Sequence, residues 1–261
     1  MRRALAGLLL SSACALPVVS AGNYLPAGDL QPGDVHVSVS MEAAPVLAGP
    51  SDVGDATPVP AQAQQWQVST WFASDVSLRW QVARRVTLEG QLKLTNPISP
   101  FVPELVGGSL GVRLRLIEHP PDGGFAAELG LRFVGVSAEQ ELDRAQGDLT
   151  QTDVWDYRAV GIEAPLVVTY RINSLVAVTG SPFLRAYYIR AWHTQVTPTT
   201  RTQTELFWTP VLSGGFAGSF AFDLGPLELA PGLAFELATR PGKGQPTHVL
   251  FEPGVSVGMR L

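Results

Sequence analysis

Apolar and polar residues alternate along most of this chain with a period of two. That period puts successive side chains on opposite faces of an extended strand. The alternation is cleanest over 86–94, where Val86, Leu88, Leu92 and Leu94 oppose Thr87, Glu89, Gln91 and Lys93. The stretch 109–133 shows it twice. Leu110, Val112, Leu114 and Leu116 oppose Ser109, Arg113 and Arg115, and after a Pro-Pro-Asp-Gly-Gly break Phe125, Leu129, Leu131 and Phe133 oppose Glu128 and Arg132. Comparable segments cover 34–42 (with Glu42 on the polar side), 65–82, a stretch ending at 171 (Glu163 polar), 205–222, 227–237 (Leu233 and Phe235 against Glu228 and Glu236) and 249–261 (Val255 and Val257 against Glu252 and Arg260). Arg79 is opposite in parity to the apolar set Val76, Leu78, Trp80 and Val82. The segment 175–193 also reads as a strand, but Phe183-Leu184 and Tyr187-Tyr188 put bulk on both faces and leave its orientation open.

The pattern predicts about ten strands, with 8–12 as the range, and links that alternate in length. Short links fall near 83–85, 118–123, 172–174 and 224–226, and long polar or Pro/Gly-rich ones at 43–64, 96–108, 138–153, 194–204 and 239–247. An even strand count with short turns at one rim and long loops at the other fits an all-β, single antiparallel up-and-down transmembrane β-barrel. Both termini then lie on the short-turn, periplasmic side. Pro165, Pro182, Pro210, Pro231 and Pro253 fall inside predicted strands, where each removes a ladder donor. The Pro-Gly pairs at 231–232 and 253–254 suggest bulges.

Period-two alternation also suits a soluble secreted β-barrel or sandwich binding a small ligand, whose apolar face is simply its core. Three features favour lipid. Several strands reach nine residues or more, enough to cross a bilayer at a tilt. The apolar faces carry almost no charge while the opposite faces carry both signs. Aromatic residues such as Trp66, Trp71, Trp80, Phe125, Tyr157, Tyr170, Trp192 and Trp208 gather near strand ends, where interfacial girdles sit. Composition agrees: 16% charged residues against 46% hydrophobic is below the roughly 25% charge of a soluble domain. A formal net charge of −5 and no Lys/Arg cluster give no reason to expect nucleic acid. After residue 22 no apolar run is long enough for a transmembrane helix.

The first 21 residues read as a signal peptide, with Arg2-Arg3, an apolar run over 4–16 and Val19-Ser20-Ala21 at the cut. A rival reading makes Cys14 a lipid-modified cysteine after Leu10-Ser11-Ser12-Ala13. In the main reading the chain's one cysteine leaves with the leader, so no disulfide is available. Residues 22–33 are then a short periplasmic N-terminal segment and 34–261 the barrel. A signal peptide, alternating strands and a last strand ending Val255-Ser256-Val257-Gly258-Met259-Arg260-Leu261 resemble Gram-negative outer-membrane β-barrel proteins. That class usually ends in an aromatic residue, and this chain ends in Leu261. The resemblance implies an outer-membrane location, contact with outer-membrane lipid and the assembly machinery of that membrane, and a monomer.

With the apolar face outward, Leu88, Leu92, Leu94, Leu110, Val112, Leu114, Leu116, Phe125, Leu129, Leu131, Phe133, Leu233, Phe235, Val255 and Val257 face lipid. The lumen receives Glu42, Arg79, Glu89, Lys93, Arg113, Arg115, Glu128, Arg132, Glu163, Glu228, Glu236, Glu252 and Arg260. These charges nearly balance, and a barrel this narrow is filled by side chains. A plugged, non-enzymatic barrel with a structural or surface-interaction role and contacts in its long outer loops is therefore expected, with a narrow channel for small solutes as the alternative. His193, His248, Asp153 and Asp156 lie near outer loops, but no spacing ties them into a catalytic set. No cofactor is expected, since the chain has no clustered metal ligands and no glycine-rich phosphate loop leading into a helix. Leu114→Arg is expected to impair assembly far more than Arg113→Leu.

Overall fold

The computed structural model describes residues 16–17, 24, 26–28, 30–44, 46–48, 71–95, 104–118, 123–146, 149–238 and 248–261. Ten antiparallel strands form one closed barrel in chain order. They are β1 (Val35–Ala44), β2 (Trp71–Ala83), β3 (Val86–Thr95), β4 (Glu104–Ile117) and β5 (Gly124–Gln146), followed by β6 (Leu149–Arg171), β7 (Val176–Val196), β8 (Arg201–Leu224), β9 (Leu227–Ala238) and β10 (His248–Arg260). The barrel closes where β10 pairs with β1, from Arg260 opposite His36 to Gly254 opposite Glu42. Outside it, Leu16–Pro17 forms a short ladder with Val46–Ala48. The rest of the predicted leader, including Cys14 and the cleavage site at Ala21, lies outside the described residues.

Burial is inverted relative to a soluble domain. Leu110 is 72% exposed and Phe133 67%, while Lys93 and Arg113 are each 1% exposed. Every apolar residue predicted to face lipid is exposed except Val112, which is half-buried. Soluble monomers rarely expose contiguous apolar patches beyond a few hundred Å², and this one runs around the whole wall. In hydrocarbon each unpaired backbone group costs several kcal/mol. The closed ladder removes that cost by leaving no sheet edge. The chain spans a bilayer as an outer-membrane-type β-barrel.

The wall is uneven in height. β1, β3, β9 and β10 have 10, 10, 12 and 13 residues, whereas β5, β6, β7 and β8 have 23, 23, 21 and 24. At about 3.3 Å per residue, the shorter strands just cross a ~30 Å core when tilted, and the longer four stand well clear of it. This corrects the expected long loops at 138–153 and 194–204. Gln146 pairs opposite Leu149 and Arg201 opposite Val196, so both stretches are the upper ends of hairpins. Their polar alternation marks strand continuing into water. The other long links, at 43–64, 96–108 and 239–247, lie largely outside the described residues.

The prolines sit where the ladder can spare a donor. Rungs are missing between β5 and β6 at Pro165 and between β8 and β9 at Pro231. Pro182 falls in a gap of the β6–β7 ladder. Pro210 lies beyond the reach of β9, whose pairing with β8 runs only as far as Ser213 opposite Ala238. Pro253 stands one residue beyond the last β10–β1 rung. The bulges expected at 231–232 and 253–254 are absent from the β9–β10 ladder, which runs in unbroken register with Gly232 opposite Gly254.

Candidate functional site

The buried charged side chains line the lumen. Because side chains alternate across the wall, residues such as Glu89, Arg113, Arg132 and Glu163 point inward from four adjacent strands at one level. They form a continuous chain of ion pairs. The Arg113 guanidinium donates to Glu89 at 2.6 Å, and Arg132 donates to the same carboxylate at 2.5 and 3.1 Å. Arg132 also reaches Glu163 at 3.1 Å. Arg185 donates to Glu163 at 2.9 Å and to Glu236 at 2.9 Å. Six side chains of alternating sign thus cross from β4 and β3 to β9, and all are buried. Each charge faces an opposite one on at least one side, the condition under which buried ions are tolerated away from water.

On the adjoining strands β1–β3 Lys93 donates to Glu42, and its ammonium lies 3.7 Å from Asp75. A second tier lies nearer the short-turn rim. Arg115 and Arg113 approach Glu128 at 3.4 and 3.8 Å. Arg260 bonds Asp223 at 3.1 Å. At the rim itself Arg84 donates to Glu118 at 3.0 and 2.9 Å, and these bonds hold the Glu118 carboxyl below the usual carboxylate range. Between the tiers, Tyr24, Ser40, Arg79, Glu89, Arg113 and Arg132 enclose a cavity of about 30 Å³, the volume share of one water molecule.

The second tier is closed from within by the N-terminal segment. Residues 22–33 are expected to stand outside in the periplasm, but Tyr24, Pro26, Ala27 and Leu30 are buried inside the barrel. The Tyr24 hydroxyl donates to the Glu252 carbonyl at 2.8 Å, and Ser219 Oγ donates to the Tyr24 carbonyl at 2.6 Å. The Ala27 amide donates to Thr169 Oγ1 at 2.8 Å, and the Gly28 amide to Glu128 at 3.0 Å. Arg79 and Arg115 donate to the carbonyls of Pro26 and Leu30 at 2.9 and 2.8 Å. The wall around this segment is built of small side chains. Tyr24 packs on Ala177, Ala221 and Ala230, and Ala27 on Ala126 and Val167.

Among the predicted lumen residues, Glu42, Arg79, Glu89, Lys93, Arg113, Glu128, Arg132, Glu163, Glu228, Glu236 and Glu252 are buried, and Arg115 and Arg260 are half-buried near the rim. Three more belong with them. Asp75 and His36 have the same inward parity as Arg79 and Glu42, so alternation was sufficient to find them. Arg185 lies on β7, whose orientation bulky residues on both faces obscured. In the structure Ala177, Thr179, Ser181, Phe183, Arg185 and Tyr187 point inward and Leu184 and Tyr188 outward. The inward bulk is explained by Arg185, whose guanidinium lies 4.7 Å from the centre of the Phe183 ring.

Above the belt, the outer face of the β5–β8 sheet carries a small polar cluster. The Arg190 and Arg158 guanidiniums lie 4.6 and 5.3 Å from the Trp192 ring. Arg190 is bonded to Glu205 at 2.6 Å and Arg158 to Asp156 at 3.1 Å. His193 is buried on the opposite face from the Trp192 cluster, and its register partners are Trp155 and Thr204. Alternation therefore separates Asp156 from His193, while Asp153 pairs with Gln195 in the ladder. His248 opens β10, with β8 and β9 between it and β7. Among the described residues no three His, Cys, Asp or Glu side chains are grouped so as to hold a metal ion.

No family model matches the chain, and no curated protein matches it either. Solved structures do. It is similar to the attachment invasion locus protein Ail of Yersinia pestis, at 11% identity and a TM-score of 0.34 over 88% of this chain and 100% of that one. A COG4313 outer membrane channel from Pseudomonas putida F1 gives 13% identity and 0.40 over 94% and 100%. The outer membrane protease OmpT from Escherichia coli gives 7% and 0.41 over 87% and 92%. These likenesses transfer no role to this chain.

Proposed function

We propose that this protein is a lumen-closed barrel of the Gram-negative outer membrane that presents a rigid surface above the membrane instead of conducting solutes through it. The observation that carries this reading is the double closure of the lumen. The alternating chain from Arg113 to Glu236 crosses one level, the N-terminal segment fills the next, and the cavity between them holds about one water. A charge-selective pore is lined by rings of side chains of one sign, and this lining is self-neutralising.

The working surface in this reading is the four-stranded sheet of β5–β8, with the paired Arg158 and Arg190 guanidiniums against Trp192 on its outer face. Flat aromatic and arginine side chains on a rigid support are favoured at contact sites. The chain acts as a monomer in contact with outer-membrane lipid, is inserted by that membrane's assembly machinery, engages an extracellular partner and performs no catalysis. Purified protein reconstituted in planar bilayers is expected to give no stepwise ionic current. Discrete, reproducible conductance steps would replace this reading with the narrow channel.

A further inference from the structure

With the leader predicted over residues 1–21 removed, the segment that closes the short-turn side of the lumen is attached at one end only, through Gly33 to β1. We propose that it is a tethered strap occupying a peptide-binding socket, and that it leaves and re-enters the socket by turning at Gly33. The proposal rests on the closed-barrel reading only for the ion-pair layer that forms the socket's roof.

Three observations lead to it. The first is how the wall holds the strap. Five of its bonds go to backbone atoms: the amides of Ala27 and Gly28 and the carbonyls of Tyr24, Pro26 and Leu30. Main-chain recognition with a few side-chain pockets is how a groove receives an extended peptide. Of the pockets, the deepest takes the Tyr24 ring, and it exists because two wall positions lack side chains. A Cβ built at Gly254 would lie 2.8 Å from that ring, and one at Gly232 would lie 2.4 Å from it.

The second observation is that most wall groups holding the strap have another partner. Thr169 Oγ1 is 3.0 Å from Thr179 Oγ1, and Arg79 is 3.3 Å from His36 Nδ1. Arg115 donates to Gln81 Oε1 at 3.2 Å and to Glu128 at 3.4 Å, and Glu128 also faces Arg113. A buried polar group left without a partner costs about 1–3 kcal/mol. Withdrawal of the strap leaves these four groups still paired. Tyr24, Pro26, Ala27, Gly28 and Leu30 carry no charge, so none of the lumenal ion pairs depends on them.

The third is the tether. Gly33 lies in the left-handed region at φ +101°, its amide bonds the Gln81 carbonyl at 2.8 Å, and a tight turn from Gln31 to Asp34 follows the rim. Beyond that turn the chain is committed to β1. Before it, Tyr24, Pro26, Ala27, Gly28 and Leu30 are held by the socket. The occupant the socket fits is an extended peptide segment with a phenol at one end and a small residue three positions on.

Cysteine reactivity tests this, because the chain has a single cysteine, Cys14, which serine can replace. In that background Ala27→Cys in the folded barrel is expected to react with a water-soluble maleimide at least tenfold slower than Gln31→Cys at the rim. It is also expected to react at least tenfold faster than Ser213→Cys, which lies opposite Arg185 in the charged layer. Tyr24→Cys provides a second, roomier strap position should Ala27→Cys fail to fold, with migration of unheated protein on gels reporting folding. A disulfide formed in Ala27→Cys/Thr169→Cys should abolish that reactivity. A synthetic peptide NYLPAGDLQPG, the sequence of residues 23–33, should raise the labelling rate of the strap cysteine by occupying the vacated socket. Strap cysteines reacting only as slowly as Ser213→Cys would overturn the proposal, and a labelling rate indifferent to the peptide would overturn the socket. Current reports on the closed lumen and labelling on the strap, so the two readings fail separately.

Discussion

Replacing Arg185 with leucine is expected to lower the unfolding free energy by about 3–5 kcal/mol, the cost of leaving a buried charge without its partner. The Arg185 side chain is fully buried and links two carboxylates, Glu163 and Glu236, at 2.9 Å each. Glu163 keeps Arg132 at 3.1 Å after the change, whereas Glu236 loses this guanidinium. The double variant Arg185→Leu/Glu236→Leu removes the stranded charge as well. It should regain part of the loss, with a coupling energy of about 1–3 kcal/mol for neighbours in one network. The urea midpoint of unfolding in detergent, followed by tryptophan fluorescence, measures both. A single variant that unfolds at the wild-type midpoint would mean that the lumenal chain contributes nothing to stability.

The second large effect is expected on the other face of the wall. Leu110 is 72% exposed near the middle of β4. Arginine there meets hydrocarbon and should cost about 2–4 kcal/mol, against about 0–1 near the interface. Leu224, exposed at the last position of β8 beside the Gly225-Pro226 turn, is the matched control. Leu110→Arg should reduce the folded, fast-migrating fraction in the membrane severalfold, and Leu224→Arg should leave it close to wild type. Equal tolerance at both positions would mean that depth in the wall does not matter, and lipid could not be the solvent. The expectation that Leu114→Arg is far worse than Arg113→Leu needs revision in this light. Arg113 is bonded to Glu89 at 2.6 Å and lies 3.8 Å from Glu128. Its loss leaves Glu89 held by Arg132 and Glu128 by Arg115 but breaks the buried network at its end, so the two variants should differ less than a rule of charge-in and apolar-out suggests.

Alternation alone carried the architecture a long way. A period of two is a direct image of a strand with different solvents on its faces, so the belt and the lumenal charges on β3, β4, β5, β9 and β10 were legible residue by residue. It failed where its premise failed. On β7 the inward face holds Phe183 and Tyr187 because the lumen there is packed against Arg185, and the parity signal vanished with the polarity difference. Above the membrane both faces meet water, so the upper end of β5 and the tips of β6, β7 and β8 looked like loops. The strap was illegible for a different reason. Tyr24 to Gly33 has no periodicity, and its place is set by alanines and glycines from five distant strands, a complementarity that only the closed barrel creates. The alanines of the apolar lumen, Ala126, Ala177, Ala221 and Ala230, read in sequence as mere spacers among polar positions.

The claim on which everything else depends is that the wall faces lipid and the charges face inward. Fractionation of cells expressing the full chain, combined with gel migration of heated and unheated samples, tests it most directly. The account predicts that the protein sediments with the outer membrane, resists extraction by alkaline carbonate, and migrates faster unheated than after boiling. Recovery in the soluble periplasmic fraction with identical migration in both samples would contradict it.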